Sequence, residues 1–113
     1  MAANLVETGG TMWYLTLRRA ARPREEWKVS LDEHLAWMKR QHEEGNILFS
    51  GPSADRKLGI YVIRARSREE AERIARSDPY TVAGYTECEI IEWQINQIMG
   101  VGLFTAAEQQ ARR

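Results

Sequence analysis

Two residues suited to proton transfer stand far apart in this chain: His34, in the segment His34-Leu35-Ala36, and Asp78, in the turn Asp78-Pro79-Tyr80. A neutral imidazole titrates near ~6.5, so it takes and returns a proton close to neutrality. A carboxylate that accepts from one ring nitrogen fixes the tautomer and stabilises the imidazolium. Each residue also has a plainer use. His34 can be a helix-edge histidine with one hydrogen bond, and an aspartate before proline commonly shapes a turn.

The other candidates are weaker. Tyr14 and Tyr80 can present hydroxyls to a ligand, or pack their rings with the hydroxyls satisfied. Ser53, just after Gly51-Pro52, can reach a pocket mouth. His42 lies eight residues beyond His34. That is about two helical turns, roughly 12 Å, too far for both to bind one metal ion, so no metal is expected. His42 reads as a core-edge histidine with a backbone partner. Cys88 sits between Glu87 and Glu89. Nearby carboxylates oppose thiolate formation, so a buried, inert thiol is expected. No dinucleotide fingerprint is present, and no organic cofactor is expected.

The elements that position these residues follow from periodicity. Residues 12–18 alternate as a strand, Trp13, Leu15 and Leu17 against Met12, Tyr14 and Thr16. Residues 19–29 read as a charged, solvated connection containing Pro23. Ser30 with Glu33 forms a capping box that opens a helix, and Gly45 is a left-handed stop. Leu31, Leu35, Met38 and His42 share one helical face, with His34 at its edge and Trp37 off it, free to touch an arm or a partner. Residues 46–50 form a short strand ended by Gly51-Pro52, residues 53–58 a polar turn, and residues 59–65 a strand, making an antiparallel hairpin. Ser67 and Glu70 repeat the capping box before a helix over 68–76, which turns Ala71, Ile74 and Ala75 inward. Asp78-Pro79 ends it. The last strand, 86–95, changes phase, which implies a bulge near Ile90 or two buried faces. Residues 96–113 read as an arm with a short helix, and residues 1–11 as a loose leader.

This order is βαββαβ, the ferredoxin-like α+β pattern. It places two helices on one face of a four-stranded antiparallel sheet. Helix one and the end of helix two then converge on one sheet edge, where His34 and Asp78 can meet. The other face carries apolar side chains with nothing to cover them, so a symmetric homodimer is expected. Leu103 and Phe104 of the arm clasp the mate or fold back on their own subunit.

Composition narrows the functional classes. The chain has 113 residues, 43% of them apolar, enough for one domain with a modest core. Sixteen basic residues balance sixteen acidic ones. That argues against nucleic acid and against an electrostatic membrane anchor. No apolar run approaches the ~18 residues of a spanning helix, and the start lacks the basic and apolar regions of a signal peptide. A lone cysteine suits a reducing compartment, so a cytoplasmic protein is expected.

The helix segment from His34, the run His42-Glu43-Glu44-Gly45, Ser50-Gly51-Pro52, Ser67-Arg68-Glu69-Glu70-Ala71, and Asp78-Pro79-Tyr80 before Ala83-Gly84 occur in an order that resembles the YCII-related (YciI-like) family of the dimeric α+β barrel group. The resemblance covers about residues 12–95. It implies a ferredoxin-like subunit, a dimer, and an active-site pair at His34 and Asp78. One branch is similar to enzymes that remove HCl from chlorinated hydroxyhydroquinones, and the wider group includes muconolactone isomerases. The expected function is therefore cofactor-independent proton transfer on a small ring compound, by elimination or isomerisation. The alternatives are a non-catalytic small-molecule-binding or accessory dimer module, and a purely structural dimer unit.

Overall fold

Residues 12–111 are described by a computed structural model. The expected leader, 1–11, and the end of the arm lie outside them. Four strands, β1 (Met12–Ala20), β2 (Ile47–Pro52), β3 (Leu58–Ala65) and β4 (Thr86–Trp93), form one antiparallel sheet in the order β2-β3-β1-β4. The main helices are α2 (Leu31–Glu43) and α3 (Arg68–Arg76). Short helices α1 (Arg24–Trp27) and α4 (Pro79–Val82) flank them, and α5 (Ala106–Ala111) closes the described chain after a small hairpin, β5 (Gln97–Ile98) with β6 (Val101–Gly102).

The core lies between helices and sheet. Tyr14 and Thr16 from β1, Tyr61 and Ile63 from β3 and Ile90 from β4 point inward, where Trp37, Ala71 and Ala75 meet them. The two alanines leave α3 slim enough to lie close to the strands. Trp37 is 2% exposed and donates its Nε1–H to Ser77 Oγ at 2.9 Å, as a buried indole requires.

Several local expectations are corrected. Residues 19–29 are not a loop: β1 runs on to Ala20, and α1 then leads through a 3-10 turn, Lys28–Ser30, straight into α2. Ser30 therefore makes no side-chain cap, because the preceding turn already continues the helical hydrogen bonding. Ser67 does cap, accepting from Glu70 N at 3.1 Å, while Glu70 reaches back to Arg66 N rather than to Ser67. Helix α2 buries His34, Trp37 and Gln41, not the leucine stripe. Leu31 and Leu35 are 45% and 54% exposed. Trp37 is a core residue, not an outward one. His42 is exposed and meets a side chain, Ser50 Oγ at 2.7 Å, not the backbone.

Gly45 behaves as expected, at φ +78°, and the helix end closes through Gly45 N–H to His42 O and Asn46 N–H to Gln41 O. The register of β4 on β1 is continuous, so its phase change reflects two apolar faces. The register shift lies instead between β2 and β3, from Ile47 to Ser50. Pro52 is tolerated because β2 is an edge strand. On the outer face, Ile95 and Ile98 fold back onto Trp13, Leu15 and Val62 of the same chain. Ile91 and Trp93 stay about two-fifths exposed beside them, at 41% and 42%.

Candidate active site

The site grows from the end of β1. Period-two alternation carries Tyr14, Thr16 and Arg18 onto the inward face. An arginine at the end of that series must find an anion or remain in water. It finds Asp78, whose side chain is fully buried, at 3.2 Å from Arg18 Nη1. Arg18 lies opposite Gly59 in the β1–β3 register. A Cβ at Gly59 would come within 2.6 Å of Arg18 Nη2 and 2.7 Å of Cζ. The missing side chain is the space the guanidinium occupies.

Asp78 is held by its own backbone role. It N-caps α4, accepting from Tyr80 N at 3.0 Å, with Pro79 in the first helical position. The same Oδ1 lies 2.8 Å from His34 Nδ1. An ionised carboxylate only accepts, so Nδ1 is the donor and the neutral ring keeps its lone pair on Nε2. Arg18 Nη1 is 3.4 Å from that Nε2. Both Arg18 bonds run from Nη1, and its Nε is buried without a partner. The Tyr80 ring stacks on the imidazole, with centroids 4.2 Å apart and planes 10° from parallel. Trp27 packs against the far side of this stack, 5.3 Å from Tyr80. Burial raises the Tyr80 hydroxyl above its ordinary pKa.

The imidazole forms part of the wall of a cleft of about 250 Å³. Leu31, Leu35 and Met38 of α2 make one side, and Ser50, Gly51 and Pro52 of β2 another. Arg18, Arg24, Arg56 and Tyr61 complete it. Burial pushes the Tyr61 hydroxyl far above its usual range.

The cleft thus brings together His34, Tyr80 and, behind the histidine, Asp78. Tyr14 and Ser53 are placed elsewhere. Tyr14 packs in the core with its hydroxyl 3.3 Å from Glu92 Oε1. Ser53 builds the β2–β3 turn, donating to Asp55 Oδ1 at 2.7 Å and accepting from Leu58 N at 3.0 Å. Its neighbours Ser50 to Pro52 reach the cleft instead. Sequence reasoning missed Arg18, and alternation from Tyr14 carried the signal. It also missed Trp27, Arg24 and Arg56, for which no local signal existed. Among the described residues, no three His, Cys, Asp or Glu side chains cluster as a metal site. Nor is any helix among them long and apolar enough to cross a membrane.

The sheet order and the helices on one face define a ferredoxin-like α+β subunit. The chain belongs to the YCII-related domain family, which matches residues 12–94. It is 36% identical over 64 residues to the uncharacterized protein YjpA of Bacillus subtilis strain 168, a stretch covering 57% of this chain and 75% of YjpA. Among solved structures it is similar to the 5-chloro-2-hydroxyhydroquinone dehydrochlorinase TftG of Burkholderia phenoliruptrix AC1100, in complex with 2,5-dihydroxybenzoquinone. The TM-score is 0.63 at 21% identity, over 76% of this chain and 96% of TftG, a likeness of fold. A weaker likeness, TM-score 0.44 at 9% identity over 80% of this chain and 98% of the other, is to a mutant of SnoaB, a cofactor-independent oxygenase from Streptomyces nogalater.

Proposed function

We propose that the protein is a cofactor-independent lyase or isomerase acting by proton transfer on a small ring compound, as a cytoplasmic homodimer. The observation that carries this reading is the 2.8 Å contact of His34 Nδ1 with fully buried Asp78, on a ring that also lines a cleft. His34 accepts a proton from carbon or oxygen at Nε2, in place of its contact with Arg18 Nη1, and Asp78 holds the ring and the resulting charge. The electron pair left behind forms a double bond as chloride departs, giving HCl overall. Alternatively, the proton returns at a second carbon and the double bond migrates. Arg18 beside Nε2 stabilises negative charge as it develops on the substrate. The fold likeness to TftG, named as a dehydrochlorinase, supports the elimination branch.

His34→Gln is expected to lower turnover of chlorinated hydroquinones or unsaturated lactones by about 10²-fold or more, with the circular dichroism spectrum retained. Equal turnover by the folded variant sinks the proposal. The second reading, a non-catalytic binding or accessory module, rests on the same cleft. Stabilisation of the wild type by those compounds without product formation favours it.

A further inference from the structure

The walls of the cleft are charged in one direction only. Arg18, Arg24 and Arg56 contribute to them, and among the described residues no aspartate or glutamate does. The acid behind His34, Asp78, is fully buried and already holds Arg18. The chain as a whole has a formal charge of zero, so this excess is local. Neither Arg24 nor Arg56 forms an ion pair among the described residues. Of the acids near Arg24 in the chain, Glu26 is taken by Arg22 at 3.2 Å. Asp55, beside Arg56, accepts from Ser53 and from Lys57 N. Arg24 lies over the Trp27 ring, with Cζ 5.7 Å from the centroid, which holds its head near the cleft. Arg56 sits at φ +64° in the β2–β3 turn, a left-handed conformation that glycine or asparagine adopts more readily.

Much of the remaining lining is apolar, with His34 and Ser50 as polar members. Leu31 and Leu35 are half-exposed, and Trp27 stands beside them. An apolar cavity of about 150 Å³ holds a benzene ring. A cleft of about 250 Å³ therefore suits one ring with substituents. Apolar walls with unpaired cations at the rim match a ring that carries its own negative charge.

We propose that the cleft selects a planar ring carboxylate, with Arg24 and Arg56 taking the carboxylate at the rim and the ring lying against the α2 leucines. This rests on the reading of the same cleft as the substrate site, and it names the substrate class. Arginine suits the task because its planar fork matches a carboxylate.

The test is calorimetric binding to the whole protein, so it does not depend on turnover. The probes are benzoate, 2-hydroxybenzoate and 2,5-dihydroxybenzoate, each paired with its uncharged benzamide. The acid of at least one pair is expected to bind about tenfold or more tightly than its amide, from two partly exposed charge contacts. The Arg24→Gln/Arg56→Gln double variant is expected to lose most of that ratio while its amide affinity stays the same. Lys57→Gln, a nearby cation outside the cleft lining, is expected to keep it. Equal binding of acid and amide, a ratio that survives the double variant, an equal loss in Lys57→Gln, or no binding of any acid at about 1 mM, the weak end of ordinary enzyme affinities, each overturns the proposal. The His34→Gln protein is expected to keep the acid preference. Failure of proton transfer and failure of charge selection therefore give different results.

Discussion

Arg18 reaches both Asp78 and His34 through one nitrogen, and it does so across the space left by the absent side chain of residue 59. Gly59→Ala must displace the guanidinium and is expected to cost about 1–3 kcal/mol of stability. In an Arg18→Ala background most of that cost should vanish, because the clash partner is gone. Urea unfolding of the four proteins measures the coupling, and simple additivity of the two changes refutes the steric account. Tyr61 gives a pH test. Burial holds its hydroxyl above the ordinary value of 10.0, so the folded state keeps a proton that the unfolded chain releases. Its contribution is intact below pH 10.0 and falls as pH rises beyond it. The stability gap between Tyr61→Phe and wild type should therefore shift toward the phenylalanine variant above that pH. A gap that stays constant counts against the argument.

Elements show where local sequence signals succeed and where neighbours overrule them. Both capping boxes have the same spelling, yet only Ser67 caps. Ser67→Ala is expected to cost about 1 kcal/mol, and Ser30→Ala close to nothing, since an unused hydroxyl has no bond to lose. Thermal or urea melts separate the two, and equal losses contradict the assigned caps. Helix α2 is the sharper case. Its apolar stripe suggests which side faces the core, but the helix rolls to bury His34, Trp37 and Gln41. Burying His34 is possible because Asp78 meets it, and Trp37 finds Ser77. The roll leaves Leu31, Leu35 and Met38 to form a cleft wall. The stripe was legible in the sequence; its purpose was not.

For the whole molecule, the sheet has two unequal faces. One is closed by α2 and α3, and the other is covered only in part, by Ile95 and Ile98. Ile91 and Trp93 remain open to solvent beside that patch. The expected homodimer would bury them, with the arm at least partly on its own subunit. Sedimentation of the wild type should then give a dimer at micromolar concentration, and Ile91→Glu should give a monomer with unchanged helix content. A monomeric wild type rules out the sheet-to-sheet dimer.

The order of the four sheet strands and two main helices, the α3 boundaries, the Gly45 stop and the antiparallel sheet were readable from the chain alone. Each rests on a short-range cause: side-chain period, backbone freedom or a cap within four residues. The candidate pair was readable as residue types suited to proton chemistry, and the family resemblance singled out those two. Contacts between distant residues were decided by the tertiary structure. Packing brought Asp78 to His34 across 44 positions, laid Arg18 over Gly59, and moved Tyr14 and Ser53 away from the cleft. Such contacts depend on which faces the sheet and helices turn toward one another. That choice has to bury apolar faces and pair buried charges at once, and no window of neighbouring residues contains it.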